Sequence, residues 1–131
     1  MATYTYNKVT PEVLEQIKAA VNGHVLIGDQ INEDFSHDEM RIYGEAMPEV
    51  LVEPTTTEEV AAVMKICNDN KIAVTPSGAR TALTGGPVAQ YGGVMISTTK
   101  MNKILSYDEE NLVVTIQPGV LLKDLAEDAL K

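Results

Sequence analysis

The chain has 131 residues, 44% of them hydrophobic and 22% charged, with a formal net charge of −9. That length is one domain with room for a real core, and the acidity argues against nucleic acid and anionic membrane surfaces, which call for a basic face. No apolar run reaches transmembrane length, residues 1–6 have no basic or apolar leader pattern, and the single Cys67 fits a reducing compartment, so the expected location is cytoplasmic.

In chain order, Thr10-Pro11-Glu12 predicts a helix start: a capping hydroxyl, a proline at the first helical position and an acid at the positive end of the helix dipole. Val13, Leu14, Ile17, Ala20 and Val21 repeat at helical spacing, and Asn22-Gly23 ends the run. Residues 29–48 are polar and carry no periodicity. Residues 49–53 read as a strand ended by Pro54. Thr56 and Glu59, in capping-box spacing, open a second helix with the stripe Val60, Val63, Met64 and Cys67. Residues 71–75 read as the next strand, with Ile72 and Val74 as its buried face.

Further on, residues 93–97 form a short apolar strand, 98–102 a turn, and 103–107 and 112–117 two strands joined by a hairpin at 108–111. Pro118-Gly119 breaks the last strand, and 121–130 returns to helical spacing. The fold class expected is α+β, a small mixed sheet covered by about three helices.

The most informative stretch runs from Lys71 to Tyr107, which holds no aspartate or glutamate. Lys71, Arg80, Lys100 and Lys103 give it a local balance of +4; set against −9 for the whole, the remainder carries −13. Inside it lies the glycine-rich loop Val74-Thr75-Pro76-Ser77-Gly78-Ala79-Arg80-Thr81-Ala82-Leu83-Thr84-Gly85-Gly86-Pro87. Small residues let backbone N–H groups approach an anion closely, and consecutive N–H groups can form an anion-binding concavity. The loop is therefore either a phosphate site or a surface turn that happens to lack acids.

Familiar nucleotide motifs do not fit. Gly85-Gly86 is followed by Pro87-Val88 rather than the lysine and hydroxyl of a Walker A loop, and Gly78-Ala79-Arg80 lacks the second glycine of a dinucleotide fingerprint. His24 and His37 have no cysteine partner and do not form a metal-ligand pattern. His37 beside Asp38 reads as a turn hydrogen bond. Cys67 reads as core, and Asp108-Glu109-Glu110 as a solvated hairpin tip. No serine–histidine–carboxylate arrangement stands out.

The order Pro76-x-Gly78-Ala79-x-Thr81-x-Leu83-x-Gly85-Gly86, Gly93-Val94, Met101-Asn102, Asp108 and Asn111, then Pro118-Gly119-Val120, resembles the FAD-linked oxidases. This is the family with the flavin domain of p-cresol methylhydroxylase and vanillyl-alcohol oxidase. Residues 34–39 followed by Pro48 and 50–54 are similar to glycolate oxidase D-subunits and to D-lactate and D-2-hydroxyglutarate dehydrogenases. The likeness covers about residues 12–131.

The resemblance implies FAD as cofactor. Its pyrophosphate would be wrapped by Ser77, Gly78, Ala79, Arg80, Thr81, Ala82 and Leu83, with Pro76 beside them as a cofactor-binding residue and Gly85 and Gly86 letting the backbone pass close. Pro118, Gly119 and Val120 would form a turn against the nucleotide, and Pro54 and Pro76 would end two neighbouring strands on the cofactor side. Some members carry a histidine, bonded covalently to the flavin, where this chain has Arg80; attachment here is expected to be non-covalent.

Family members are more than three times as long. The resemblance therefore implies that residues 1–131 are the first lobe of a flavin domain, inactive alone, with the second lobe and the substrate domain absent. In the whole protein the implied reaction is oxidation of a 2-hydroxy acid by hydride transfer to FAD. The alternative is a non-catalytic nucleotide-binding or interaction module. Ala82, Leu83, Val88 and Ala89 near the glycines suggest an exposed apolar patch and a homodimer through the cofactor face.

Overall fold

Strands β2 (Val50–Glu53) and β4 (Val94–Ser97) lie side by side in parallel, and their short apolar runs are buried on both faces. That double burial explains why neither run alternates with polar residues. A computed structural model describes residues 4–130; residues 1–3, part of the N-terminal stretch read above, and residue 131 lie outside the described residues. β1 (His24–Ile27) pairs antiparallel with β2, and β3 (Val74–Ser77) pairs parallel with β4, giving the order β1-β2-β4-β3.

Val50, Val52, Val94 and Ile96 form one face of this sheet. Helices α1 (Pro11–Ala20) and α2 (Thr57–Asp69) cover it through Val13, Ile17, Val63 and Cys67, joined by Val21 just past the end of α1. Leu51 and Met95 point to the opposite face, where Ile31, Ala89 and Phe35 cover them. Each fully buried valine, leucine, isoleucine or methionine among them contributes roughly 1.5–3 kcal/mol. Burial also pushes the Cys67 thiol up to about 11, so it is a neutral core group.

Both helix starts are as the sequence indicates. Thr10 Oγ1 accepts from Val13 N, and Thr56 Oγ1 accepts from Glu59 N. The return arm of the second cap differs from a standard box. The buried Glu59 carboxylate accepts from Thr55 N at 2.7 Å and from Asn22 N at 3.1 Å, tying the end of α1 to the start of α2. The Thr55 N–H, the largest cause, holds the carboxyl below its ordinary value of 4.5.

Several expectations need correction. The α+β class, a mixed sheet with three described helices, is as expected, but the strands divide into two sheets, because β5 (Ile104–Asp108) and β6 (Val113–Ile116) pair only with each other. β1 was not anticipated; four residues with both ends exposed carry no clear period. The polar segment read as 29–48 holds two short 3₁₀ turns, Glu33–Ser36 and Arg41–Tyr43, and a third, Gly28–Gln30, straddles its start. Met64 is 45% exposed and does not belong to the buried stripe of α2.

β3 starts at Val74, which is half-buried, while Ile72 makes an isolated bridge to Asn7. Pro76 lies inside β3 instead of ending it, and β4 separates β3 from β2. A proline is tolerated there because β3 is an edge strand, where one missing donor need not break a ladder. No described helix is long and apolar enough to cross a membrane. The remaining helix, α3 (Leu122–Asp128), lies near the β5–β6 hairpin, with the Tyr107 hydroxyl donating to Asp128 Oδ2 at 3.0 Å.

Candidate functional site

Because β2, β3 and β4 are parallel, their carboxyl ends emerge at one edge, and the glycine-rich loop leaves β3 there. Open α/β sheets take ligands at this edge. The loop's backbone is left available: among the described residues, no N–H from Gly78 to Thr84 donates a hydrogen bond. An added Cβ at Gly78 or Gly86 would meet nothing within 4 Å, so both glycines border open space.

A cavity of about 460 Å³ is lined by Pro76, Gly78, Arg80, Thr81, Ala82 and Gly86 together with Ala79 and Pro87, and no carboxylate lines it. A second cavity, of about 260 Å³, lies between Gly78-Ala79 and the turn Pro118-Gly119-Val120, with Thr99, Asn102, Leu121 and Asp124 completing its walls. The fold thus brings together two motifs that are forty residues apart in the chain. Beneath the loop, Ser77 is 2% exposed, and its hydroxyl oxygen has no partner. Its register partner Ser97 shares a hydrogen bond with Thr99 at 3.1 Å. Free backbone donors, an unpaired buried hydroxyl and an acid-free cavity suit a phosphate-bearing ligand.

Not every glycine has the role expected of it. Gly85 donates its N–H to Asp38 Oδ2 at 2.7 Å, and its φ is +74°. A Cβ there would lie 2.7 Å from Tyr43 Cβ, so this glycine serves packing rather than ligand approach. Gly119 is similar. Its missing side chain lets the turn close on Thr98, whose carbonyl oxygen would lie 2.2 Å from a Cβ. Arg80 holds a left-handed backbone, φ +60°, and its guanidinium lies 4.0 Å over the Phe35 ring. That stack secures a side chain whose backbone is strained for a non-glycine residue.

The acid-free character of residues 71–107 holds along the chain but not all around the loop. Asp34, Asp38 and Glu39 line a third cavity of about 310 Å³ with Ala79, Arg80, His37 and Arg41. The apolar patch expected beside the glycines is also smaller than supposed. Val88 is 6% exposed and Ala89 1%, because both pack inward; Leu83, at 57%, stands out alone.

His37 makes the expected turn contact, from Nδ1 to the Asp38 carbonyl oxygen at 2.8 Å. Sequence reasoning missed Phe35, the Asp38 carboxylate, Thr99, Asn102 and Asp124 as site neighbours. One signal was available. Phe35 is the only phenylalanine and stands in an otherwise polar segment, which marks an anchor.

Comparison with known proteins agrees with this geometry. The family described as "FAD binding domain" matches residues 48–131. A D-lactate dehydrogenase of Anaerostipes hadrus is 70% identical over 131 residues, covering all of this chain and 28% of the relative. The glycolate oxidase subunit GlcD of Bacillus subtilis (strain 168) is 36% identical over 91 residues, 70% of this chain and 19% of the relative. The crystal structure of p-cresol methylhydroxylase with substrate bound superposes with a TM-score of 0.71 at 24% identity, over 91% of this chain and 24% of that one. The chain belongs to the FAD binding domain family, as the motif order indicated. It spans about a quarter of the length of these relatives.

Proposed function

We propose that this member of the FAD binding domain family is the pyrophosphate-holding lobe of a flavoprotein that oxidises a 2-hydroxy acid such as D-lactate or glycolate. The observation that carries the reading is the run of unpartnered N–H groups from Gly78 to Thr84 above the carboxyl ends of β3 and β4. The substrate class follows the names of the relatives, D-lactate dehydrogenase and glycolate oxidase subunit.

In this reading the loop amides, the Ser77 hydroxyl and the Thr81 hydroxyl hold the two phosphates. Arg80 adds a positive charge at the loop's outer side. Pro118, Gly119 and Val120 form the opposite wall, where Asn102 and Asp124 offer polar groups to sugar hydroxyls. FAD, when bound, supplies the electron acceptor for hydride removal, and this lobe supplies binding and orientation. Attachment through this loop is non-covalent, because arginine at position 80 has no nucleophilic ring nitrogen.

Groups that bind and deprotonate the substrate belong, on this proposal, to further polypeptide. The surface of the β5–β6 hairpin and α3 supports packing against such a partner. Leu112, Leu122 and Leu130 are all strongly exposed there, and a two-stranded sheet alone is marginal. The same surface is the one through which isolated chains would self-associate.

The test is a chimera in which this chain replaces the matching segment of the Anaerostipes hadrus enzyme. Purified chimera is expected to carry flavin that is fully released on denaturation, and to oxidise D-lactate. A folded chimera without flavin would contradict the cofactor reading. A flavin-loaded chimera unable to oxidise D-lactate, with the relative's own substrate groups present, would contradict the proposal that this lobe orients the flavin for that reaction.

A further inference from the structure

The segment from Glu33 to Ala46 grips the loop at points that leave its free amides untouched. Asp38 Oδ2 accepts Gly85 N at 2.7 Å, and Oδ1 accepts Met40 N at 2.9 Å. Glu39 N donates to the Ala82 carbonyl oxygen at 3.2 Å. The Phe35 ring lies under the Arg80 guanidinium, and Tyr43 packs on Gly85. The contacts that reach the loop fall on residues 80–85, and the N–H groups from Gly78 to Thr84 stay unpaired.

Asp38 is 2% exposed. A buried carboxylate beside an anion site is an unfavourable choice on charge alone, since like charges repel most where water is excluded. Its presence needs a compensating gain. Two backbone donors fix both of its oxygens, and one of them belongs to the loop. Charge-assisted bonds of this kind are stronger than neutral ones, and their geometry is narrow.

We propose that Asp38 is a positioning residue for the anion cradle: by fixing Gly85 it sets the curvature of the loop and keeps the amides of 78–84 directed at the ligand. The inference rests on reading the loop as the pyrophosphate site. It assigns Asp38 no contact with the ligand. Asparagine at this position would turn one acceptor into an NH₂ group facing either Gly85 N–H or Met40 N–H, donor against donor, and one strut of the clamp would be lost.

Glu49 provides a matched control. Its carboxylate accepts Val9 N at 3.3 Å and Gly93 N at 3.0 Å, the same kind of staple at the amino end of β4, away from the site. The full ¹⁵N-labelled chain is titrated with inorganic pyrophosphate and, separately, with FAD. The amide shifts of residues 78–84 report binding, and hydrogen exchange at Gly85 reports the clamp. If Asp38→Asn fails to give a dispersed spectrum, Asp38→Ser, which keeps one acceptor, takes its place.

The Asp38 variant is expected to bind pyrophosphate about tenfold more weakly than wild type and to exchange the Gly85 amide faster, while Glu49→Gln binds within about twofold of wild type. Tighter or equal binding by the Asp38 variant would overturn the inference alone, leaving the cradle in place. Equal losses in both variants would also overturn it, by showing only general destabilisation. If wild type binds neither probe, the cradle reading itself falls, and this inference falls with it.

Discussion

Asp38 and Gly85 are 47 residues apart in sequence, yet the carboxylate of one accepts the backbone N–H of the other at 2.7 Å. Glu49 and Glu59 bind backbone N–H groups in the same way, at the other end of the sheet and between the two helices. Part of the chain's acidity is therefore internal joinery. Each of these carboxylates satisfies donors that a turn would otherwise leave unpaired.

Glu59 makes the stability of the fold depend on acid. Backbone donors, led by Thr55 N–H, hold its carboxyl below the ordinary 4.5. A group with a depressed folded value stabilises above the ordinary value and loses that contribution as pH falls through the depressed one. Glu59→Gln is expected to lower Tm at neutral pH by roughly 5 °C, the size of a lost charge-assisted hydrogen bond in a small domain. Thermal unfolding followed from about pH 7 to about pH 3 should show the two proteins converging as the wild-type carboxyl protonates. A constant gap over that range would remove the carboxylate from the explanation.

Arg80 should matter for flavin retention more than its neighbour Thr81. In the chimera, Arg80→Ala is expected to weaken FAD binding by about 1.5–3 kcal/mol, the range for hydrogen bonds to charged groups, and Thr81→Ala by less. Phe35→Leu removes the surface on which the guanidinium rests and should weaken binding in the same direction. Apoprotein reconstitution followed by flavin fluorescence gives the three constants. Unchanged affinity in Arg80→Ala would reduce the arginine to a partner for Phe35.

Self-association of the isolated chain should follow the hairpin and α3 rather than the glycine loop. Val88 and Ala89 are buried, whereas Leu122 is 80% exposed. Light scattering over a concentration series is expected to show association that Leu122→Asp reduces and Leu83→Asp leaves unchanged. The reverse pattern would restore the loop face as the interface.

Local signals carried most of the elements. Thr10-Pro11, Thr56 with Glu59, the apolar runs at 50–53 and 94–97, and the break at Pro118-Gly119 each act within a few residues, so their physics is readable in order. The clamp was not readable. An aspartate in a polar turn looks the same whether it is solvated or buried under a loop 47 residues away, and only the tertiary contact decides. The same limit explains the charge reading. Clearing acids from residues 71–107 leaves one face of the loop free of them, but the fold sets Asp34, Asp38 and Glu39 against the other face. β1 was lost for a third reason, since a four-residue strand held by one neighbour has too short a pattern to register.

The central claim is that the open amides beginning at Gly78 hold the flavin's pyrophosphate, and Gly78→Asp in the chimera tests it most directly. A side chain there enters open space, so the substitution adds charge with no packing clash. With Gly78→Ala as the neutral control, the measurement is FAD affinity beside the Tm of the apoprotein. The expected result is unchanged apoprotein stability in both variants, retained flavin in Gly78→Ala, and affinity weakened by about tenfold or more in Gly78→Asp through repulsion of the phosphates. Full flavin retention by a folded Gly78→Asp protein would contradict the claim and put the pyrophosphate elsewhere.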